Sequence, residues 1–322
     1  MEAKNEIITI IGSGIIGKSF AWIFALNGYT IHIFDVDQSQ LQKCIDSIKQ
    51  DLKDIGEKCT DTIRQDLNVI VNDMYIEKII GRVFAFTDLA KAVNNAFLIQ
   101  ECVPENLELK RKVYKEVDGL MTVKQILSSS TSSLLPSILS KDLKHKKRFI
   151  VCHPVNPVDI VPIVEIVPAP WTDLDVIKTM KDLLSGMGKQ PIVLIKEVPG
   201  FIVNRLQYAI LNESYNLVNR GIVSVQDVDK VMSEGLSLRW AFLGPFQIAS
   251  LNANGWNDYC DKYSKMIKEV SDTFDPPQLY EGKTSDSIFQ QLQAIIPIGK
   301  LNQAREKLAN QMRTLLKLKK QN

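Results

Sequence analysis

A short β-branched run, Ile7-Ile8-Thr9-Ile10-Ile11, leads without a break into Gly12-Ser13-Gly14-Ile15-Ile16-Gly17. This stretch constrains the fold more tightly than any other in the chain. The run reads as a buried parallel strand. Apolar periodicity over residues 15–27 reads as a helix, stopped by Gly28. A second strand is expected over residues 30–34, ending at Asp35. Each glycine has its own reason: Gly12 permits the tight turn, Gly14 lets the backbone approach a pyrophosphate, and Gly17 lets helix and strand pack closely. Strand, glycine turn, helix, second strand and an acid about 20 residues on form the pattern of a dinucleotide-binding unit. Backbone N–H groups at Ile15 and Ile16, in the first helical turn, have no intrahelical partner and suit phosphate. Asp35 can accept hydrogen bonds from a ribose 2′-hydroxyl and would repel a 2′-phosphate, so NAD is expected over NADP.

The alternation continues downstream. Strands are expected at residues 83–86, 96–100, 126–127 and 191–195, with helices at 89–94, after Pro104, and at 171–186. Residues 38–80 are polar and helical in pattern, without sharp boundaries. After Lys196 the character changes: Val198-Pro199-Gly200 punctuates the chain, a long helical stripe starts near Phe201, and strand alternation does not return. Gly221 stops that helix, and Ser224-Val225-Gln226-Asp227 suits the N-cap of the next. The expected fold is α/β: an N-terminal Rossmann-type doubly wound sheet over residues 1–196, then an all-α C-terminal domain over 197–322 whose basic end frays. At 322 residues, two domains are the default.

Charge and cysteine usage narrow the function classes. A net charge of +2 gives no electrostatic case for nucleic acid or a membrane surface. No apolar run approaches the roughly 20 residues needed to span a bilayer. The first strand begins so early that no presequence is expected. The five cysteines are dispersed, with no C-x-x-C, and with three histidines they offer no zinc pattern, so no metal is expected. Scattered thiols suit a reducing cytosol.

Chemistry concentrates in residues 151–167, VCHPVNPVDIVPIVEIV. Glu165 stands between Val164 and Ile166, and a carboxylate buried there alone would be costly, so it needs a partner. His153 is the candidate, and the two together form a pair able to move a proton. Ser128-Ser129-Ser130-Thr131-Ser132-Ser133 is a polar loop at a strand end, where open α/β sheets bind ligands. His145, among lysines, reads as exposed loop. Asn204 shares a stripe with Tyr208, Leu211, Tyr215 and Val218, so it either makes a polar contact in a core or reaches into a cleft.

Taken with the glycine motif, Ser130-Thr131-Ser132-Ser133, His153-Pro154-Val155-Asn156-Pro157, Val164-Glu165-Ile166 and Pro199-Gly200-Phe201-Ile202-Val203-Asn204-Arg205 resemble the 3-hydroxyacyl-CoA dehydrogenase superfamily, in both domains and in family order. The resemblance implies an NAD-dependent oxidoreductase in which His153 is the general base and Glu165 holds its other ring nitrogen. It implies that Ser132 and Asn204, the latter from the second domain, bond the reacting oxygen, that Asn156 lies near the nicotinamide, and that Glu105 and Lys110 contact the cofactor, as does Ser132. It also implies a homodimer. Further stretches, among them Ile99-Gln100-Glu101-Cys102-Val103-Pro104-Glu105 and Val231-Met232-Ser233-Glu234-Gly235-Leu236, resemble the branch that oxidises L-gulonate at C3. The last 45 or so residues match poorly.

Two departures bear on the substrate. Ser130 stands where hydroxyacyl-CoA enzymes usually carry asparagine, and residues 38–66, where CoA would need cations, hold more acids than bases. A sugar acid needs a cation for its carboxylate, and Arg239 and Arg205 are candidates. The readings carried forward are an L-gulonate 3-dehydrogenase, a short-chain 3-hydroxyacyl-CoA dehydrogenase, and a dinucleotide-binding structural protein.

Overall fold

The computed structural model describes residues 4–58 and 73–320. Residues 59–72, which include Cys59 and part of the polar stretch expected to be helical, lie outside the described residues. The chain divides into two compact units, Met1–Asn204 and Arg205–Asn322.

In the first unit, β1 (Ile7–Ile11) buries Ile8, Ile10 and Ile11. Full burial of each such side chain is worth about 2 kcal/mol, which favours a central place in the sheet. There follow α1 (Ile15–Leu26), β2 (Thr30–Phe34), α2 (Gln38–Lys58), α3 (Asp73–Ile80), β3 (Val83–Phe86), α4 (Leu89–Val93), β4 (Ala96–Glu101), α5 (Leu107–Leu120), β5 (Ile126–Ser129) and α6 (Pro136–Ser140). The unit continues with β6 (Phe149–Pro154), β7 (Ile163–Pro168), α7 (Leu174–Gly186) and β8 (Gln190–Val193). The eight strands form one sheet in the order β3-β2-β1-β4-β5-β6-β7-β8. The strand order reverses at β1, which lies between β2 and β4, and the crevice outside the carboxyl ends of strands at such a point is the usual ligand site.

All pairings are parallel except that of β6 with β7. Residues 155–162 are fewer than the dozen or so that a parallel crossover needs, so the chain turns back on itself. Residues 151–167 are therefore two strands rather than one. Side-chain alternation sorts them by face. Ile150, Cys152, Val164 and Ile166 pack with Ile8, Ile10 and Leu98. Phe149, Val151 and Val167 pack on the other side with Ile99, Tyr114, Leu127 and Phe201. His153 and Glu165 continue this second series at the strand ends.

Two details differ from expectation. His145 is not on a solvated loop: its Nδ1 lies 3.0 Å from Asp118 Oδ1, and Asp118 also accepts the backbone N–H of Lys144 and of His145. The neighbouring Lys141, Lys144 and Lys147 stay exposed while the turn carries the imidazole inward. The first unit also runs past the expected break at 196. Phe201 is fully buried, and the backbone around it bonds to β7.

The second unit is helical among the described residues. α8 (Val203–Asn219) leads into it from the first. α9 (Val225–Lys230) is opened by Ser224, whose side chain accepts the N–H of Asp227, as the sequence suggests. A π-helical turn (Val231–Leu236), α10 (Ser237–Trp240), α11 (Pro245–Leu251), α12 (Trp256–Ser271), α13 (Gly282–Ile295) and α14 (Leu301–Lys320) follow. The basic end expected to fray is helical through Lys320. Tyr215 stacks on Tyr280 at 4.6 Å, and Asn216 Nδ2 donates to Asp275 O at 3.1 Å. Among the described residues, no helix is long and apolar enough to cross a membrane.

Candidate active site

The glycine loop closes the carboxyl end of β1. Gly12 has φ +99°, and a Cβ there would stand 2.9 Å from Cys102 O. A Cβ on Gly17 would stand 1.9 Å from Gly12 O, so helix and loop touch as the motif requires. A Cβ on Gly14 would meet nothing within 4 Å. The two outer glycines are thus fixed by the protein's own packing, while the middle one opens outward, as close approach by a pyrophosphate requires. Ile15, 71% exposed, and half-buried Ile16 begin α1 here, presenting their N–H groups at its positive end. Asp35 Oδ2 accepts Ser13 N at 2.9 Å and Ser13 Oγ at 2.6 Å, so the acid stands beside the loop. Glycines, helix start and acid together fit an NAD-type dinucleotide.

The carboxyl ends of β4 and β5 supply a second group. Glu105 Oε1 accepts Ser132 N at 3.0 Å and Thr131 Oγ1 at 2.5 Å, with the hydroxyls of Ser132 and Ser133 at 3.3 and 3.4 Å. Burial pushes the Glu105 carboxyl up, but the bonds from Thr131 and Ser132 and the nearby Lys110 charge leave it below its ordinary value. Lys110 differs from expectation. It is 1% exposed, and its Nζ meets Glu101 Oε1 at 2.8 Å, Val103 O at 3.1 Å and Glu105 Oε2 at 3.4 Å. Its ammonium is thus enclosed by protein groups.

His153 and Glu165 face each other across β6 and β7 in direct register, with Nδ1 2.8 Å from Oε2. The Glu165 side chain is 1% exposed, and its other oxygen accepts Ile202 N at 2.7 Å and Val203 N at 3.0 Å. Those N–H groups open α8, whose positive end favours a carboxylate. Burial pushes the Glu165 carboxyl up, but the bonds from His153, Val203 and Ile202 outweigh it and leave it below its ordinary value. A carboxylate so held accepts Nδ1–H, which leaves Nε2 as the basic nitrogen. Phe201 has φ +53°, and its ring packs 5.7 Å from the imidazole. Asn204 Nδ2 donates to Ser132 O at 2.8 Å, tying the start of α8 to the serine loop.

Cys102 and Cys152 border these groups, but burial pushes each thiol up to about 12, which removes them as nucleophiles at neutral pH. Asn156 is exposed just beyond His153. Arg239 is exposed on α10 of the second unit. Sequence reasoning passed over Glu101, Tyr114 and the N–H groups of Ile202 and Val203. For Glu101 a signal was present: an acid closing an apolar strand, the same logic that drew attention to Glu165.

The family model for the NAD-binding domain of 3-hydroxyacyl-CoA dehydrogenase matches residues 7–198, and that for the enzyme's C-terminal domain matches residues 200–287. The chain belongs to the 3-hydroxyacyl-CoA dehydrogenase family. It is 41% identical to the lambda-crystallin homolog of Rattus norvegicus, over 90% of this chain and 88% of that protein. It is 31% identical to an L-carnitine dehydrogenase of Oceanobacillus iheyensis, over 84% of this chain and 85% of that protein. Among solved structures, an NAD+-dependent 5-formyl-3-hydroxy-2-methylpyridine 4-carboxylic acid 5-dehydrogenase shares the fold, with TM-score 0.76 and 24% identity over 97% of both chains. As a member of this family the chain is an NAD-dependent hydroxy-acid oxidoreductase.

Proposed function

We propose that the chain is an NAD-dependent L-gulonate 3-dehydrogenase, oxidising the C3 hydroxyl to a ketone. One observation carries the chemistry: the buried His153–Glu165 pair, whose acid is anchored by two backbone N–H groups. The substrate choice rests on the stretches that resemble the branch oxidising L-gulonate at C3, alongside the 41% identity to a lambda-crystallin homolog. It is also supported by α2, where Lys18 reaches across to Asp51 at 2.6 Å and lysines alternate with acids rather than forming a cationic strip for CoA phosphates.

When bound, NAD supplies the acceptor for the hydride leaving the hydroxyl-bearing carbon. His153 Nε2 takes the hydroxyl proton, as a base of this type typically does for a gain of 10²–10⁴-fold. Glu165 holds the tautomer and favours the imidazolium that forms. Asn204 has two amide protons, one spent on Ser132 O; in this reading the second bonds the reacting oxygen, and the Ser132 hydroxyl turns from its 3.3 Å contact with Glu105 to do the same. Glu105, Ser132 and Asn156 meet the nicotinamide end, while Gly12, Gly14, Ile15, Ile16, Gly17 and Asp35 hold the pyrophosphate and adenosine ribose.

The protein is a cytosolic homodimer in this reading. Free thiols at Cys44, Cys102, Cys152 and Cys260 support the location, and exposed Leu251 and Phe246 in the second unit support association. Sedimentation at the monomer mass would overturn the dimer.

The deciding assay is NADH formation with L-gulonate against 3-hydroxybutyryl-CoA. Faster turnover of L-gulonate is expected. Turnover of the CoA ester alone would replace the reading with a short-chain 3-hydroxyacyl-CoA dehydrogenase. NADH binding with neither compound oxidised would favour a crystallin-like structural protein.

A further inference from the structure

Glu101 closes β4 with no exposure to solvent, and the chemistry above does not use it. Its Oε1 accepts Lys110 Nζ at 2.8 Å and Val103 N at 2.6 Å. Its Oε2 accepts Ser129 Oγ at 2.8 Å and the hydroxyl of Tyr114, itself 2.7 Å from Ser129 Oγ. Two limbs leave this centre for the same loop. One passes through Ser129 Oγ, which accepts Thr131 N at 3.2 Å. The other passes through Lys110 to Glu105, which gathers Thr131, Ser132 and Ser133.

A buried ion pair is weak evidence for stability, because desolvation offsets much of its attraction. Apolar residues of similar volume would fill this place between Ile99, Leu127 and Phe149 at less cost. What the charged network adds is geometry: every lone pair on Glu101 is matched, so Lys110 and Ser129 each have one address, and the loop is tied at Thr131 from both sides. We propose that Tyr114 and Glu101 are positioning residues for hydride transfer, acting through Lys110, Glu105 and Ser129 to fix the Ser132 hydroxyl relative to His153. The proposal rests on the reading that Ser132 holds the reacting oxygen. Burial, and then the adjacent Glu101 charge, hold the Tyr114 phenol well above its ordinary value, so it remains a donor at every working pH.

Tyr114→Phe tests this cleanly. The ring keeps its place 5.2 Å from Phe149 and only the hydroxyl is lost. The set is wild type, Tyr114→Phe, Ser132→Ala and the double variant. Turnover is read with L-gulonate or 3-hydroxybutyryl-CoA, whichever the wild type oxidises. NADH titration and amide exchange over residues 129–134 accompany it. Tyr114→Phe is expected to lower kcat about 10-fold, less than the roughly 100-fold of a full 1 Å misplacement, with KM and NADH affinity nearly unchanged. In the Ser132→Ala background it should lower kcat no further, because both changes act on one group. Exchange should quicken at residues 131–134 and not along α5. Glu101→Gln, which keeps the volume, should give the same pattern. Multiplying effects in the double variant, an unchanged kcat, or exchange quickened equally through α5 would overturn the proposal and leave a merely structural role. If the wild type oxidises neither compound, the substrate reading fails on its own, and the exchange pattern alone decides this one.

Discussion

Replacing Glu165 by glutamine removes the charge from the His153 pair and almost none of its volume. The outcome is set by which way the carboxamide turns. Glu165 Oε1 receives two backbone N–H groups, at 2.7 and 3.0 Å, and Oε2 faces one ring nitrogen at 2.8 Å. Turning the amide NH2 towards Ile202 and Val203 would strip two buried donors of their acceptor, at about 1–3 kcal/mol each. Keeping the oxygen there mismatches a single contact, and His153 relieves it by moving its proton from Nδ1 to Nε2. Two donors outweigh one, so the oxygen stays and the imidazole takes the other tautomer. The nitrogen meant to receive the substrate proton is then already protonated. Turnover, read as NADH formed under saturating substrate, should fall by about 10²–10⁴, while NADH titration changes little. The bonds to Ile202 and Val203 become neutral ones, so Tm should fall by a few degrees. Acid sensitivity follows from the same group. The folded carboxyl lies below its ordinary 4.5, so its stabilising contribution is full above that value and is lost as pH falls through the lower folded value. Glutamine has no such loss, and the stability gap between variant and wild type should narrow below pH 4.5. A variant that keeps a tenth or more of wild-type kcat would refute the tautomer argument, since it falls short of the roughly 100-fold loss that argument demands.

Three further outcomes are expected. His153→Gln should leave NADH affinity nearly intact and cut turnover by about 10²–10⁴; retained activity would remove His153 from the mechanism. Asp35→Arg should shift preference towards NADP in parallel NADH and NADPH titrations, and an unchanged ratio would refute the role given to Asp35. Gly17→Ala should lower stability by about 3 kcal/mol or more, because its Cβ would overlap Gly12 O, whereas Gly14→Ala should spare Tm and weaken NADH binding. Equal Tm losses in the two glycine variants would refute the division of labour between them.

The sequence made the first β–α–β unit legible because each local signal agreed with the next. The strand Ile7–Ile11, the turn at Gly12, the strand Thr30–Phe34 and Asp35 all stand where the pattern puts them. Glu165 was legible for a different reason: a carboxylate in an apolar strand needs a partner, and His153 is that partner. The antiparallel turn of β7 was less legible, since both strands are buried and read as short apolar runs whose periodicity does not reveal their direction. His145 was misplaced because its lysine neighbours set the local polarity while Asp118, distant in sequence, decided its burial. The network around Lys110 was hidden for the same reason: Glu101, Tyr114 and Ser129 lie on three different elements, and only the fold brings them together. Residues 202 and 203 contribute through backbone N–H groups, which no side-chain pattern announces.

The pairing of His153 with Glu165 has a consequence for how such a chain tolerates insertions and deletions. The two residues meet because of hydrogen-bond register between β6 and β7, so the length of the connecting residues 155–162 does not enter the geometry. As far as the pair is concerned, that connection could grow or shrink and the base would keep its acid, provided that Asn156 and the buried Val158 and Ile160 keep their places. A single residue gained or lost within either strand is a different event. It would carry one member of the pair to the opposite face of the sheet and set a neighbour in its place, Cys152 or Pro154 for His153 and Val164 or Ile166 for Glu165. Diversification at this edge of the molecule is therefore channelled: length varies in the turn, and the strands admit substitution but no change of count.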